Sequence, residues 1–235
     1  MKDDEVPHTP LMVAVVDSSD ARLFIELSSY GADLVEARHA LDLAIRGDEE
    51  GWPFADANAY LIGFAAIAYC RSILLSNVRG RLTDHIAVPP ELIDIHEQVK
   101  SFRNGTIAHS QSELSVTYPV GVLDAATLEV RFIAAATVTS SLPRPVVRRF
   151  RTLVVAMEEL LDGAILPIRA RLEDRMRKAD PRDLVAQPLP EVVEKFADEF
   201  NPRTKRPPYS KSHTIYWESV AGDGHPDSVD PSVSP

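Results

Sequence analysis

The sequence has few of the residues and motifs that cross-link a fold through disulfides or metal ions. Among 235 residues it has one cysteine, Cys70, which excludes an internal disulfide and fits a reducing compartment. Cys70 stands in an apolar stretch, which predicts a buried, unreactive thiol. No paired histidine or cysteine spacing suited to zinc and no glycine-rich phosphate loop occurs. We therefore expect neither a metal nor a cofactor.

Long hydrophobic runs are also missing. The longest, LIGFAAIAYC, ends at Arg71 and is too short to cross a bilayer. The first ten residues, MKDDEVPHTP, are acidic and do not resemble a signal peptide. These features predict a cytoplasmic protein that makes no membrane contact.

Basic residues are outnumbered by acidic ones, 25 to 35, and the net charge of −10 argues against indiscriminate binding of nucleic acid. The imbalance is uneven along the chain. Residues 1–60 hold 13 acids and 4 bases, whereas residues 143–178 hold 9 bases and 5 acids. We interpret the basic segment as the solvated face of an amphipathic helix. The alternative is a local phosphate-binding surface, with Arg144, Arg148 and Arg151 as its candidate residues.

Proline divides the chain into two parts. Nine of the 18 prolines follow residue 180, where the long apolar periodic runs also stop. This predicts a helical body over 1–180 and an extended tail over 181–235, with one short amphipathic helix at about 190–200 and a disordered end. The segment RTKRPPYSKSHTIYWES mixes bases with aromatics, so it either packs onto the body or stacks on single-stranded RNA.

Apolar periodicity predicts four helices in the body. The first begins at the capping residues 17–19 and ends at Gly47; the second covers 54–78 and, being apolar nearly all round, should be central. The third starts near Pro90 and the fourth near Pro145.

Between the third and fourth helices the apolar period changes to two, in ELSVTYPV and again in LEVRFIAA. This predicts a β-hairpin at about 113–140, with Pro119 indicating that the first strand is an edge. The expected fold class is mainly α: an antiparallel helical bundle with an inserted β-hairpin and an extended C-terminal tail.

The end of the third helix, SFRNGTIAHS, is the one stretch with specific chemistry. The inward-facing line of this helix is predicted to be Leu92, Ile95, Val99, Phe102, Thr106 and His109. Arg103 lies on its flank, and Gly105 weakens the helix between the two polar residues. A neutral histidine can take the proton of an RNA 2′-hydroxyl while an arginine holds the phosphate, so Arg103 and His109 form a minimal RNA-cleaving pair.

One observation and one alternative limit this interpretation. The spacing recurs in Arg79 and His85, across a glycine-containing turn without a polar amide after the arginine, so the spacing by itself arises by chance. The alternative for the first pair is a helix end, where His109 interacts with terminal carbonyls or the helix dipole and Arg103 is a surface cation.

The stretch RNGTIAH, with a polar Asn104 directly after the arginine, resembles the signature of the HEPN superfamily of helical bundles: an arginine, a polar residue, four further residues and a histidine. The resemblance covers the body, roughly residues 18–178. It implies metal-independent endoribonuclease activity through attack of the 2′-hydroxyl, of the kind found in toxin–antitoxin, abortive-infection and antiviral defence systems. It also implies a homodimer whose two motifs line one cleft.

The family roles would fall on three residues. Arg103 would stabilise the phosphate and the transition state, Asn104 would orient the site, and His109 would act as general base or acid. RNA would be the main partner, with Arg144, Arg148 and Arg151 as further candidate contacts, and an antitoxin or another protein as a second partner. One branch of the family has a tyrosine two residues after the histidine; this chain has Gln111 there, which puts control through that tyrosine in doubt.

Two other functions remain open on the sequence. The chain could be a non-catalytic module of the same fold that binds a protein through its acidic first helix or its tail. It could also be a nucleotide sensor in which Arg103 grips a phosphate.

Overall fold

The computed structural model describes residues 10–51, 57–109, 111–201 and 207–218, and within them the chain is mainly helical. The helices are α1 (Ser19–Glu50), α2 (Ala57–Ile73), α3 (Ile93–Phe102), α4 (Arg144–Lys178) and α5 (Pro181–Val185). The strands are β1 (Ser115–Leu123), β2 (Val130–Thr139), β3 (Glu191–Phe196) and β4 (Ser212–Trp217). Short 3₁₀ turns cover Leu82–Asp84, Pro90–Leu92 and Ala197–Glu199, and one π-helical turn covers Arg103–Ala108.

The ends of α1 follow from its capping residues. The Ser18 side chain accepts a hydrogen bond from the Ala21 N–H at 3.2 Å, which satisfies a free N–H group of the first turn. At the other end Gly51 takes the left-handed conformation (φ 66°) and its N–H bonds to the Gly47 carbonyl. The helix therefore runs past the predicted stop at Gly47, because the glycine that adopts the capping conformation is Gly51.

The long helices pack antiparallel, and ion pairs at both ends of α1 show the direction. Asp20, at the start of α1, pairs with Arg171 late in α4 at 2.7 Å. Asp48, near the end of α1, pairs with Arg144 at the start of α4 at 2.8 Å. Asp48 also accepts a hydrogen bond at 2.8 Å from Asn58, at the start of α2, so α1 and α2 form a hairpin of helices.

The core lies between α1, α2, α3 and α4. Its largest aromatic side chains are Tyr30, Tyr69 and Phe150, all fully buried. Tyr69 and Phe150 meet edge to face with ring centroids 5.5 Å apart, a favoured aromatic geometry. The core joins these helices into the expected bundle.

The prediction that α2 is central holds on one side of the helix only. Its other side leaves large apolar side chains exposed at spacings of four and three residues, namely Tyr60, Phe64 and Ile67. An all-round apolar sequence does not distinguish a fully enclosed helix from one with an apolar face left open, because both have the same pattern.

The β-hairpin is confirmed. β1 and β2 pair antiparallel with Thr117 opposite Thr137, and the two side-chain hydroxyls of that pair lie 2.9 Å apart. Apolar side chains remain exposed along both strands, among them Tyr118 and Phe132. The hairpin thus extends from the bundle without contributing to its buried core.

The predicted amphipathic helix at about 190–200 is wrong. The segment forms β3, which pairs in parallel with β4, placing Val192 opposite His213. Pro188 and Pro190 precede it and restrict the chain to extended backbone, and the β-branched Val192 and Val193 favour a strand. Pairing with a strand some twenty residues later could not be read from helical spacing alone.

The tail contacts the body through Tyr209, whose hydroxyl donates to the Val15 carbonyl and whose ring packs beside the core. The predicted disordered end, residues 222–235, lies outside the described residues. No helix in the described ranges combines the length and the apolarity needed to cross a membrane.

Candidate functional site

The RNGTIA stretch leaves the α-helix where α3 ends. Residues Arg103–Ala108 form a π-helical turn, and His109 closes it with extended backbone (φ −141°, ψ 129°). The chain then folds back, because the Gln111 N–H bonds to the Gly105 carbonyl at 2.9 Å. Gly105 has low helix propensity, which favours a break in the α-helical pattern here. Isolated π turns are frequent at functional sites.

This turn overturns one prediction about His109. The inward line of α3 holds through Phe102, which is buried, and Thr106 is half-buried, but the His109 side chain is exposed. A π turn holds more residues than an α turn, so the side chains after Phe102 no longer follow the α-helical phase. His109 is therefore open to solvent and accessible to a ligand.

Arg103 and Asn104 lie in direct contact. The Arg103 Nη1 donates to Asn104 Oδ1 at 3.0 Å, and Arg103 is half-buried. No carboxylate in the described part of the chain forms an ion pair with Arg103, and no hydrogen bond there joins it to His109. The fold thus brings two of the three predicted site residues together and leaves the third on the far end of the same turn.

Arg103 opens onto a pocket of about 470 Å³ that two other arginines also line, Arg71 and Arg79. These two are neutralised by α1: Arg71 lies 3.1 Å from Asp33 and also pairs with Glu36, while Arg79 pairs with Asp33. Three cations therefore face two anions. The uncompensated positive charge belongs to Arg103, and a pocket of this kind attracts an anion.

Arg79 is held as part of the fold. Its side chain is 13% exposed, its guanidinium donates to Ser29 Oγ at 2.7 Å, and it lies 4.6 Å from the centre of the Tyr30 ring. His85 lies near the same ring, with the ring centroids 6.2 Å apart. The second arginine–histidine pair of the sequence therefore surrounds a buried tyrosine and is no rival site.

Cys70 also lines this pocket and is buried, as predicted. Burial raises the pKa of its thiol to about 11, which the nearby positive charge of Arg103 only partly offsets. A thiol in this state is almost wholly protonated at neutral pH and is a poor nucleophile. Cys70 therefore belongs to the wall of the pocket and not to its chemistry.

Arg144, Arg148 and Arg151 are engaged by acids of α1. Arg144 lies 2.8 Å from Asp48 and Arg148 2.8 Å from Glu49, while Arg151 pairs with Asp42. The acidic excess near the start of the chain and the basic excess after residue 143 thus face each other across the bundle. These ion pairs account for the three arginines without RNA.

Arg71 is the residue that sequence reasoning missed. It follows directly on the apolar run LIGFAAIAYC, and no motif in the sequence around it marks it as part of a site. Only the packing of α2 against the start of the π turn places Arg71 and Arg103 on one pocket. No three histidine, cysteine, aspartate or glutamate side chains of the described residues gather as a metal-ligand group.

Comparison with known proteins adds no relative to this picture. The chain matches no family model, and it shows no significant similarity to curated proteins or to solved structures.

Proposed function

We propose that this chain is a metal-independent endoribonuclease of the HEPN type, acting as a homodimer in a toxin or phage-defence system. RNA is its substrate, and an antitoxin or another protein partner restrains it. Arg103, Asn104 and His109 form the site.

The observation that carries this proposal is the state of Arg103. It is half-buried on a pocket beside two further arginines, it has no carboxylate partner among the described residues, and Asn104 holds one end of its guanidinium. A cation left unneutralised in such a pocket suits a phosphate, which a guanidinium can bind through two parallel hydrogen bonds. The exposed His109 then supplies a titrating group at the other end of the turn.

The chemistry needs only these groups. His109 takes the proton of the 2′-hydroxyl, the 2′-oxygen attacks the adjacent phosphorus, and the bond from phosphorus to the 5′-oxygen breaks. The leaving 5′-oxygen receives a proton, which a second copy of His109 in the dimer supplies. The products are a 2′,3′-cyclic phosphate and a 5′-hydroxyl. Arg103 stabilises the charge that builds on the phosphate oxygens.

The test is incubation of purified protein with short single-stranded RNA in excess chelator, with product ends identified. We expect wild type to cleave and leave cyclic phosphate ends, and Arg103→Ala and His109→Ala each to lose about 100-fold or more in rate. Arg182→Ala and His39→Ala are matched controls, because both side chains are exposed on other helices. The controls should cleave at the wild-type rate.

Two results would contradict the proposal. One is intact RNA with wild-type protein shown to be dimeric and folded. The other is cleavage that both site variants retain, since it would assign the activity to other residues or to a contaminant.

A second candidate function is a non-catalytic module that captures a protein. The observation that favours it is the hairpin, whose Tyr118 and Phe132 are both about half exposed although the strands form no part of the core. Under this function, polar substitution of Tyr118 and Phe132 abolishes partner capture while His109→Ala leaves it unchanged. The reverse result, in which His109→Ala abolishes capture and the hairpin substitutions do not, would place the binding site at the π turn.

A further inference from the structure

The β-hairpin has one face that is apolar throughout. Side chains alternate between the two faces of a strand, and Thr117 and Thr137 share one face because their hydroxyls lie 2.9 Å apart. The opposite face takes every second residue from position 116 to 122 in β1 and from 132 to 138 in β2, and all of these residues are apolar. We call it the apolar face of the hairpin.

This face stays open in the described part of the chain. Tyr118 is 48% exposed and Phe132 57%, and no residue of either strand belongs to the buried core. An antiparallel sheet with one apolar and one mixed face normally packs the apolar face, and two strands by themselves are only marginally stable in water. We therefore expect another surface to cover the apolar face.

The absence of charge favours a second copy of the chain as the cover. Each chain has a net charge of −10, so two copies repel each other over most of their surfaces. The apolar face is a place where they meet without bringing like charges together. Depletion of charge is also typical of the centre of an interface between identical chains.

The apolar face is complementary to itself. Tyr118 stands directly opposite Ala136 in the strand pair, so a large side chain adjoins a small one. If two such faces pack with their strands running in the same direction, the two-fold axis lies along the strands. That axis places β1 of each copy over β2 of the other. Each Tyr118 ring then lies over Ala136 of the second copy, and the large side chain fills the space above the small one.

We propose that the apolar face of the hairpin is the homodimer interface, closed by the same face of a second copy with the strands parallel. The hairpin begins at Ser115, a few residues after His109, so both π turns lie at one end of the paired hairpins. This arrangement suits the second copy of His109 that the proposed reaction uses as its proton donor. The consequence for catalysis rests on the proposed ribonuclease function, and the interface itself does not.

The size of the face sets the expected affinity. It measures about 25 Å along the strands by about 10 Å across them, well below the roughly 800 Å² per partner that stable complexes bury. We therefore expect a reversible dimer with a dissociation constant on the order of 10 µM. Such a dimer adds little to the stability of the dilute chain.

The first test is sedimentation of the full chain without RNA, from about 1 µM to about 300 µM, where we expect the monomer to give way to a dimer. Phe132→Lys should raise the dissociation constant at least about tenfold, because it puts a charge in the apolar contact. Ile133→Lys is the matched control. Ile133 is the next residue, is 68% exposed and lies on the opposite face, so its substitution should leave the dissociation constant unchanged.

The second test uses two variants that change the size of the paired side chains. Tyr118→Ala leaves a gap over Ala136, and Ala136→Tyr puts two rings where one fits, so each variant alone should dimerise at least about tenfold more weakly than wild type. A mixture of the two variants should dimerise nearly as wild type does, because every large side chain then meets a small one in the other copy.

Circular dichroism checks that every variant keeps the wild-type fold. Three results would overturn the proposal. One is wild type that stays monomeric at the highest concentration, whether the face then binds RNA, another protein or nothing. Another is an equal effect of Phe132→Lys and Ile133→Lys. The third is a mixture of Tyr118→Ala and Ala136→Tyr that dimerises no more tightly than either variant alone.

The interface and the nuclease fail separately. If both hold, cleavage per chain rises with protein concentration and falls in Phe132→Lys, while Ile133→Lys cleaves as wild type does. A dimer with the expected variant pattern that never cleaves RNA removes the nuclease and leaves the interface. Cleavage by a chain that stays monomeric removes the interface and leaves the nuclease.

Discussion

At the scale of single residues, neighbours decide what an arginine does. Arg79 lies against Asp33, Ser29 and the Tyr30 ring, and so it holds the segment after α2 on α1. Arg103 has the same side chain, but among the described residues its one side-chain hydrogen bond goes to the Asn104 amide. A cation with an anion beside it is already neutralised, whereas one without an anion can bind an anionic ligand.

His96 gives a pH prediction at this scale. It is buried, its Nδ1 lies 2.7 Å from the Tyr69 hydroxyl, and burial lowers its pKa, with Lys100 adding to the effect. The folded state thus protonates His96 at a lower pH than the unfolded chain, which takes up a proton as the pH falls through about 6.5. The contribution of His96 to the free energy of unfolding is complete above about pH 6.5. It declines as the pH falls from there towards the lowered pKa of His96 in the folded state.

The measurement is urea unfolding at about pH 7.5 and about pH 5.5. We expect the His96 contribution to stability to fall on acidification with a slope of at most about 1.4 kcal/mol per pH unit, the value for one proton. His96→Gln should lose less than wild type between the two pH values, whatever its absolute stability. His39→Gln, at an exposed site, is the control, and an equal loss in wild type and His96→Gln would show that His96 is not the titrating group.

Cys70 gives a second prediction. Because its thiol is buried and its pKa is raised to about 11, a thiol reagent should label it at least about 100-fold more slowly in the folded protein than in denaturant. Labelling kinetics at about pH 8 check this. Rapid labelling of the folded chain would mean that the arginine-lined pocket opens far enough to admit the reagent.

At the scale of elements, the π turn and the hairpin differ in how they meet the four packed helices. The turn redirects the chain after Phe102 and exposes His109, while its Ile107 packs against the core. The hairpin follows within a few residues, and neither of its strands contributes a side chain to the buried core.

Removal of the outer hairpin tests this division. Replacing residues 117–137 by a short glycine-containing turn should change the free energy of unfolding of the body by less than about 1 kcal/mol, because no side chain of those residues belongs to the buried core. Circular dichroism during unfolding provides the measurement. Loss of cooperative unfolding would show instead that the hairpin is part of the folding unit.

At the scale of the whole molecule, opposite charges line the contact between α1 and α4. The acids of α1 face the arginines of α4 along most of their length, from Asp20 with Arg171 to Asp48 with Arg144. Exposed pairs of this kind contribute little each. Because α1 has acids and α4 has arginines near both ends, the pairs accompany the antiparallel alignment without selecting it.

The tail gives the last prediction. Truncation after residue 180 removes Tyr209, and with it the hydrogen bond to Val15 and a partly buried ring. We expect the body to stay folded and to lose about 2 kcal/mol, and Tyr209→Phe to lose about 1 kcal/mol because only the hydrogen bond is removed. Urea unfolding of the three proteins checks both values, and an unfolded truncated chain would place the domain boundary elsewhere.

Local signals in the sequence predicted much of the fold. The N-terminal cap of α1, the presence of the four long helical segments, the alternating strands of the hairpin and the burial of Cys70 each depend on residues a few positions apart, and each was confirmed. The predicted end of α1 at Gly47 was wrong, because Gly51 adopts the capping conformation. The β3 strand was missed, because its partner β4 lies far along the chain and the short apolar spacing suited a helix equally well.

The candidate site likewise has some features that the local sequence predicts and others that depend on packing between distant residues. The sequence by itself determined which residue types stand at the turn, and from them it predicts Arg103, Asn104 and His109 as the site residues, since residue type and spacing are local. Only the tertiary structure decided that His109 is exposed and that Arg71 joins Arg103 on one pocket. The physical reason is that backbone phase at the π turn and packing between distant helices set these positions, and neither is encoded in a short stretch of chain.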